Sequence, residues 1–259
     1  MKIFILTDLE GASGVYTFAQ TRDTQNPSFP KLNREAMEYL MGDIAAVVKG
    51  LKEVGVKDII VLDGHNGGFI PQLMVSGARY LTGAAVPYQK SGLDATCDGL
   101  IMLGYHAMCG TEDGVLNHTQ SSVSERRYWY HGVESGELAQ DALYAGQFGV
   151  PPIMVSGDEA TCREARKFFG KHCVAVTVKK GIHREAALLY PLEETQQSLY
   201  KGAKQAIASI HRCKPYKLRM PINVKTQYYA VEKYPSQTRL VTKEEKVNDI
   251  SDRLNILLF

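Results

Sequence analysis

The stretch KIFILTDLEG, residues 2–11, joins a short apolar run to two carboxylates and a glycine. The apolar residues do not alternate with polar ones, which predicts a strand buried on both faces within a parallel sheet. Side chains on a strand alternate between faces, so Asp8 and Glu10 point the same way if strand geometry continues that far. Open α/β sheets bind ligands at the carboxyl ends of their strands. Two carboxylates there repel each other unless a cation lies between them or the loop turns both into water.

The composition is that of an ordinary globular protein: 259 residues, 44% hydrophobic and 22% charged. Lys and Arg total 30 against 28 Asp and Glu, so no strong charge favours nucleic acid or a membrane as a partner. The apolar run before Asp8 is shorter than the roughly 7 to 15 residues of a signal peptide core, and no stretch approaches a membrane span of about 20 residues. The five cysteines form no CxxC pair, which favours free thiols and a cytoplasmic location.

Strand and helix patterns alternate along the first part of the chain. The clearest helix follows Asn33, a suitable N-cap, carries apolar residues at steps of three and four, and ends at Gly55. Strands running into glycine-containing loops are predicted at 58–68 and 99–110, further strands at 151–158 and 172–180, and helices at 136–149 and 159–170. This order predicts an α/β fold with a mostly parallel sheet flanked by helices.

The pattern changes after about residue 183. A helix is predicted near 193–211. Every second residue from Leu218 to Ala230 is apolar except for Thr226, which is typical of a half-buried strand. We therefore predict an α/β domain at 1–182, which carries the strand ends described above, and a smaller α+β region at 183–259.

Metal-ligating residue types follow three of the predicted strands. Asp8 and Glu10 follow the first, His65 the second and His106 the third. In a parallel sheet these strand ends share one edge, and imidazole nitrogen and carboxylate oxygen are ligands that Zn²⁺ and related ions accept. Neither GxGxxG nor GxxxxGK[ST] occurs, so a nucleotide site is disfavoured.

Five sequence blocks resemble the zinc-dependent D-aminopeptidases of the dipeptide-transport DppA type in their order and spacing. They are TDLEG at 7–11, DGH at 63–65, GYHA at 104–107, NH at 117–118 and SGEL at 135–138. The likeness continues through VPPIMVSGDEA at 150–160 and covers about the first two thirds of the chain. Thr7 stands where the family pattern has serine, which leaves the ligand types unchanged.

The resemblance implies a binuclear zinc site, for which Co²⁺ or Mn²⁺ are alternatives. Its implied ligands are Asp8 bridging both ions, Glu10 and His106 on one ion, and His65 and Glu137 on the other. His118 takes the position of the family's catalytic histidine, as an acid and base or as a nucleophile. Glu134 competes with Glu137 as a ligand, and capping of a helix is the alternative role of Glu137.

The resemblance also implies an aminopeptidase that removes the N-terminal residue of short peptides, D-alanyl peptides above all. It implies a large closed homo-oligomer, with a decamer as the expected form. A phosphoesterase is the main alternative, because the same ligands serve both chemistries. The loops after Asp8, His65 and His106 hold little Arg or Lys, which argues against phosphate substrates. A non-catalytic metal-binding assembly protein is a third reading, and the additional His118 argues against it.

Four other features are expected to be structural. We expect Cys109 to be a small buried residue, His131 to lie at the surface or in a pocket wall, and residues 128–130 to pack in the core or between subunits. Asp158 is expected either to cap the helix that follows it or to support a metal ligand.

Overall fold

The computed structural model describes residues 1–21, 34–65, 68–83, 91–233 and 236–248. The strands are β1 (Lys2–Thr7), β2 (Asp58–Asp63), β3 (Arg79–Leu81), β4 (Gly99–Leu103), β5 (Arg127–Tyr130), β6 (Val133–Glu134), β7 (Pro152–Asp158), β8 (Val174–His183), β9 (Ala186–Leu189), β10 (Ile222–Lys233) and β11 (Ser236–Val247). The helices are α1 (Phe18–Thr21), α2 (Arg34–Glu53), α3 (Glu137–Gln147), α4 (Glu159–Phe169) and α5 (Leu192–Ser209), with 3₁₀ turns at Pro71–Leu73 and Ile210–Arg212. Asn33, the expected N-cap of α2, lies outside the described residues.

Seven strands form one sheet in the order β3-β2-β1-β4-β7-β8-β9. Neighbouring strands run parallel except for β9, which is antiparallel to β8. The predicted mostly parallel sheet is confirmed, with β1 as an interior strand between β2 and β4. The strand ends at Thr7, so the turn that follows it, and not strand alternation, places Asp8 and Glu10.

Two hydrophobic cores lie on opposite faces of this sheet. Ile3 and Ile5 of β1 face a core shared with the apolar residues of α2 and α5. Phe4 and Leu6 face the other core, which contains apolar residues of α3, α4 and the second sheet. The unbroken apolar run of β1 is explained by this arrangement, because each of its faces is covered.

The remaining four strands form an antiparallel sheet in the order β11-β10-β5-β6. Tyr128 and Tyr130 of β5 point into the second core, as expected. β10 begins at Ile222, later than the alternation from Leu218 predicts. Pro221 precedes the strand and has no N–H to donate to a neighbouring strand.

Residues beyond 183 contribute to both sheets. β9 extends the parallel sheet, and α5 packs against α2 and β8. β10 and β11 supply most of the antiparallel sheet, where β10 pairs with β5 from the first part of the chain. The α+β character of the C-terminal region is confirmed, and its division from 1–182 as a separate domain stays a prediction. No helix in the described parts of the chain is both long and apolar enough to cross a membrane.

Candidate metal centre

The carboxyl ends of β2, β1 and β4, three neighbouring strands, bring the predicted ligands to one edge of the sheet. Asp8 and Glu10 follow β1, His65 follows β2 and His106 follows β4. Glu137 is the first residue of α3. The side chains form two clusters, within each of which the ligand atoms lie no more than 4.8 Å apart: Asp8, Glu10 and His65 in the first, and His106, His118 and Glu137 in the second.

Two glycines let the turn after β1 pack closely against the turn after β4. The N–H of Gly11 donates to the carbonyl of Gly104 at 2.7 Å. A Cβ atom on Gly11 would lie 1.7 Å from the carbonyl oxygen of Tyr105. Gly104 has a φ of +77°, a conformation that side chains with a Cβ rarely adopt. This close backbone contact places Asp8 beside His106.

The first cluster contains buried polar atoms that the protein itself does not satisfy. Asp8 is 9% exposed and Glu10 4% exposed. His65 Nε2 lies 3.0 Å from Glu10 Oε1. Among the described residues, Asp8 Oδ2, Glu10 Oε2 and His65 Nδ1 make no hydrogen bond. Buried carboxylate and imidazole atoms without partners are unfavourable, and a metal ion would satisfy them.

The second cluster contains two histidines in the same tautomer. His106 Nδ1 lies 3.0 Å from the carbonyl of Ala107, and His118 Nδ1 lies 2.8 Å from the carbonyl of Leu116. A carbonyl can only accept, so each ring carries its hydrogen on Nδ1 when neutral. The Nε2 lone pairs are then free, and they lie 3.6 Å (His106) and 3.9 Å (His118) from Glu137 Oε1.

Asp8 connects the two clusters. It belongs to the first, and its Oδ2 lies 3.4 Å from His106 Nε2 in the second. This is the location that a carboxylate bridging two ions requires. The side-chain contacts join Glu10 to His65 and His106 to Glu137, whereas the resemblance implies the opposite pairing. Which ion each residue would bind therefore stays a prediction.

The three residues of the first cluster, Asp8, Glu10 and His65, have pKa values shifted from their ordinary values. Burial raises the pKa of Asp8 well above its ordinary value, and the charges of Glu10 and Glu137 raise it further. Burial also disfavours the charge of Glu10, but attraction to His65 outweighs it and holds the pKa of Glu10 well below its ordinary value. At His65, burial lowers the pKa, yet the Glu10 carboxylate raises it to about 9. A cation beside Asp8 would oppose the effects that raise its pKa and would favour its charged form.

The pKa values of the two histidines of the second cluster shift in opposite directions. At His106, burial lowers the pKa, but Glu137 and Glu10 outweigh it and raise the pKa overall. At His118, burial lowers the pKa and the neighbouring His106 lowers it further. His118 thus favours its neutral form, in which Nε2 can accept a proton.

These residues fit divalent ions of the zinc class. Three carboxylates and the imidazole nitrogens supply ligand types that Zn²⁺, Co²⁺ and Mn²⁺ accept. The set holds more negative charge than one ion would neutralise, and its unpaired oxygens face the interior of the site. Asp8 and Glu10 are turned toward each other and not into water. Of the two ways in which neighbouring carboxylates are tolerated after β1, a cation between them therefore fits this structure.

The other expected features are found where the sequence predicts them. Glu134, the competing ligand, lies outside both clusters, and its Oε1 accepts a hydrogen bond from Arg127 Nε at 2.5 Å. Cys109 is buried, and all five cysteines are free. His131 is exposed at the surface, where its Nε2 lies 2.9 Å from the carbonyl of Arg219.

Asp158 caps the helix that follows it, as expected, whereas its support of a metal ligand stays a prediction. Its Oδ1 accepts a hydrogen bond from Thr161 N at 2.7 Å, which caps α4. Its Oδ2 accepts from Val115 N at 2.6 Å, in the loop that leads to His118. The same carboxylate therefore fixes a helix and a loop of the candidate site.

Sequence reasoning missed three buried charged residues behind the centre. Each contacts the backbone of a turn near a ligand: Lys179 at Glu10, Asp43 at Ser13, and Glu164 at Met108. Burial raises the pKa of Glu164 to about 7 and lowers that of Lys179 to about 8, with Asp158 and Asp43 favouring the Lys179 charge. The only available signal for Lys179 was its place at the end of the strand pattern VAVTVKK, and that signal does not distinguish it from Lys180.

Comparison with known proteins gives consistent results. The model of peptidase family M55, described as D-aminopeptidase, matches residues 1–250. A D-aminopeptidase of Bacillus subtilis (strain 168) is 26% identical over 220 residues, which span 83% of this chain and 77% of the relative. The solved structure of the Zn-dependent D-aminopeptidase DppA from Bacillus subtilis, a self-compartmentalizing protease, superposes with a TM-score of 0.83. That match covers 99% of this chain and 96% of the other at 20% sequence identity, which establishes the fold.

Proposed function

Because the chain belongs to the D-aminopeptidase family M55, we propose that it removes the N-terminal D-residue of short peptides at a centre of two divalent metal ions. The observation that carries this proposal is the position of Asp8. Its carboxylate lies in the cluster with Glu10 and His65 and also 3.4 Å from His106 of the other cluster. A single carboxylate between two groups of ligands is the arrangement that a two-ion site uses.

We assign five residues as ligands and one as the proton-transfer group. The ligands are Asp8, Glu10, His65, His106 and Glu137, and the proton-transfer group is His118. When bound, two divalent ions would polarise the scissile carbonyl and make a water molecule acidic enough to ionise near neutral pH. Zn²⁺ is the expected metal, because the related DppA is Zn-dependent, with Co²⁺ or Mn²⁺ as alternatives.

His118 would move the proton through its Nε2 atom. The hydrogen bond from Nδ1 to the carbonyl of Leu116 fixes the ring and leaves Nε2 facing Glu137 and the centre. At that atom the imidazole can take a proton from the attacking water and return it to the departing amine. Phe18 meets the His118 ring edge to face, with centroids 6.1 Å apart, and limits its rotation.

A matched set of alanine dipeptides tests the reaction and its stereochemistry. The protein loaded with Zn²⁺ or Co²⁺ is incubated with D-Ala-D-Ala, D-Ala-L-Ala, L-Ala-D-Ala and L-Ala-L-Ala, and free alanine is measured. We expect release from the two peptides that begin with D-alanine and little from the other two. N-acetyl-D-Ala-D-Ala should resist cleavage, because an aminopeptidase requires a free N-terminus. Protein that holds two ions and releases alanine from no D-peptide would contradict the proposal.

The phosphoesterase and the non-catalytic alternatives are not favoured by membership of a peptidase family. The same metal-loaded protein distinguishes these two functions from peptide hydrolysis. Hydrolysis of p-nitrophenyl phosphate without hydrolysis of D-alanyl peptides would favour the first, and binding of metal with neither activity would favour the second.

We further propose that the chain forms a closed homo-oligomer, a decamer by resemblance to the family. The related DppA is described as self-compartmentalizing, and a closed chamber would admit only short peptides. Light scattering combined with size-exclusion chromatography tests this, because an active and stable monomer would reject it. A cytoplasmic location is proposed from the five free cysteines, which suit a reducing compartment.

A further inference from the structure

Lys179 is a charged side chain with no exposed surface, and it lies on β8 behind the turn that follows β1. Its relative exposure is 0%. Its Nζ donates hydrogen bonds to three backbone carbonyls, those of Glu10 at 2.7 Å, Ala12 at 2.9 Å and Val15 at 2.5 Å. An ammonium group has three hydrogens, so these bonds use its full donor capacity.

All three acceptors belong to residues 10–15, the stretch that leaves β1 and leads to α1. The first acceptor is the carbonyl of Glu10, whose side chain is an assigned ligand. The three carbonyls turn inward around one positive charge, as carbonyls do around a bound cation. These bonds fix the backbone of the stretch and therefore the direction in which the Glu10 side chain leaves it.

The bonds of Lys179 go to carbonyls and not to a carboxylate. A buried ammonium without a directly bonded carboxylate is unfavourable by itself. Lys179 therefore contributes by fixing the position of the carbonyl oxygens to which it donates. Without the ammonium, the carbonyls of Glu10 and Val15 lose this donor, and that of Ala12 keeps only its hydrogen bond from Val15 N at 3.3 Å. The stretch would then have to rearrange to find other donors, and Glu10 would move with it.

Asp158, at the end of the neighbouring strand β7, also holds the backbone of a loop near the centre. Asp158 of β7 is paired with Lys179 in the register of the sheet. Its Oδ2 accepts from Val115 N in the loop that leads to His118. Asp158 at the end of β7 and its register partner Lys179 within β8 therefore each hold the backbone of a segment that carries a residue of the centre.

We propose that Lys179 is a positioning residue for the metal centre, an internal cation that fixes residues 10–15 and thereby the spacing of the Asp8 and Glu10 carboxylates. The inference rests on the proposed metal site. Lys179 contacts neither metal nor substrate in this role, yet the affinity for metal depends on it.

Two substitutions and a control test the inference through metal affinity. Lys179→Met keeps the length of the side chain and removes the charge and its donors, and Lys179→Ala removes the side chain altogether. Lys180→Ala is the control, because Lys180 is the next residue of β8, is exposed and lies 3.9 Å from Glu159 at the surface. Metal-free protein is titrated with Co²⁺ and followed by visible absorption. We expect the Kd to rise roughly 10- to 100-fold in both Lys179 variants, as for other residues that support ligands, and to change less than about twofold in the control.

Chemical rescue separates positioning from general packing. Lys179→Ala leaves a space lined by the carbonyls of Glu10, Ala12 and Val15, which a small ammonium ion can enter. Ethylammonium chloride, compared with sodium chloride at equal ionic strength, should restore most of the lost Co²⁺ affinity in Lys179→Ala. It should have no effect on Lys179→Met, in which the methionine fills the space.

The outcomes are distinct. Wild-type metal affinity in folded Lys179→Met, or no rescue of folded Lys179→Ala, overturns the inference. Failure of both variants to fold in metal-free urea titrations also overturns it, because Lys179 would then serve the fold as a whole. A wild-type protein that binds no divalent metal overturns the proposed function and this inference together, whereas normal wild-type binding with unchanged Lys179 variants overturns this inference alone.

Discussion

His118 lies almost flat against His106, with ring centroids 4.0 Å apart and ring planes inclined by 13°. Both rings donate from Nδ1 to a backbone carbonyl, and both direct Nε2 toward Glu137. Geometry alone thus makes the two histidines nearly equivalent. We assign them different roles, a ligand for His106 and proton transfer for His118, and substitution separates the two.

His118→Ala should keep both metal ions while kcat falls by roughly 10² to 10⁴, the usual contribution of general acid and base catalysis. Metal content and steady-state kinetics on D-Ala-D-Ala give the two measurements. His131→Ala is the matched control, because His131 is exposed and belongs to neither cluster. Near-normal turnover in His118→Ala would make the assigned mechanism wrong, and loss of one metal ion would make His118 a ligand.

His106→Ala should lose metal affinity, because the variant removes a nitrogen ligand from the centre. Activity should return in part when Zn²⁺ or Co²⁺ is added in excess, since mass action offsets a weaker site. A titration of activity against metal concentration measures this effect. An activity that stays low at every metal concentration would instead point to a direct part in the reaction.

Asp8→Ala should deplete both ions, because Asp8 lies between the two clusters. Elemental analysis after gel filtration should show well under one ion per chain, against about two in the wild type. Asp113→Ala serves as the control, since the Asp113 carboxylate is partly exposed and pairs with Arg163 at the surface. Full metal content in Asp8→Ala would rule out the bridging role.

Gly11→Ala should unfold the turn after β1 or displace it, because the new Cβ would lie 1.7 Å from the carbonyl oxygen of Tyr105. We expect a loss of stability of about 3 kcal/mol or more, together with loss of metal. At Gly55 a Cβ atom would meet no atom within 4 Å, and only the φ of +85° disfavours alanine. We therefore expect Gly55→Ala to lose about 1 to 2 kcal/mol of stability. Urea unfolding of both variants makes the comparison, and equal losses would contradict it.

Asp43→Asn should change how stability depends on pH. Asp43 is 0% exposed on α2, and burial raises its pKa from 3.8 to about 6. Between these values the folded state keeps a proton that the unfolded state releases, so this carboxyl lowers stability as pH rises toward 6. Asparagine does not ionise, so the free energy of unfolding of the variant should rise relative to that of the wild type by up to roughly 3 kcal/mol between pH 4 and 6. Above pH 6 the difference should stay constant. Urea unfolding at several pH values from 4 to 7 tests this, and a difference that does not vary with pH would refute it.

The fold was predictable where local pattern and packing agree. The unbroken apolar run before Asp8 matches a central strand covered on both faces, and the three-four spacing before Gly55 matches α2. Each signal lies within one element and needs no knowledge of its partners. β5 and β6 were missed because they are short, and β10, which pairs with β5, lies about a hundred residues further along the chain.

The candidate site was predictable to the extent that it lies at strand ends. The shared edge of a parallel sheet brings Asp8, His65 and His106 together once the strands are recognised. Glu137 follows from the resemblance, since pattern alone could not separate it from Glu134. The contacts of Lys179 could not be predicted, because its partners are backbone carbonyls, which every residue carries and which no sequence pattern marks.

The pairing of β5 with β10 has a consequence for the order in which the protein is made. A ribosome releases Asp8, Glu10, His65 and His106 early, together with most strands of the parallel sheet. β5 and β6 leave soon afterwards as a small hairpin, and two strands alone are only marginally stable in water. Glu137 follows that hairpin directly, so we expect it to reach its place only when β10 has been synthesised. The centre would thus stay incomplete in the nascent chain until Ile222–Lys233 has been synthesised.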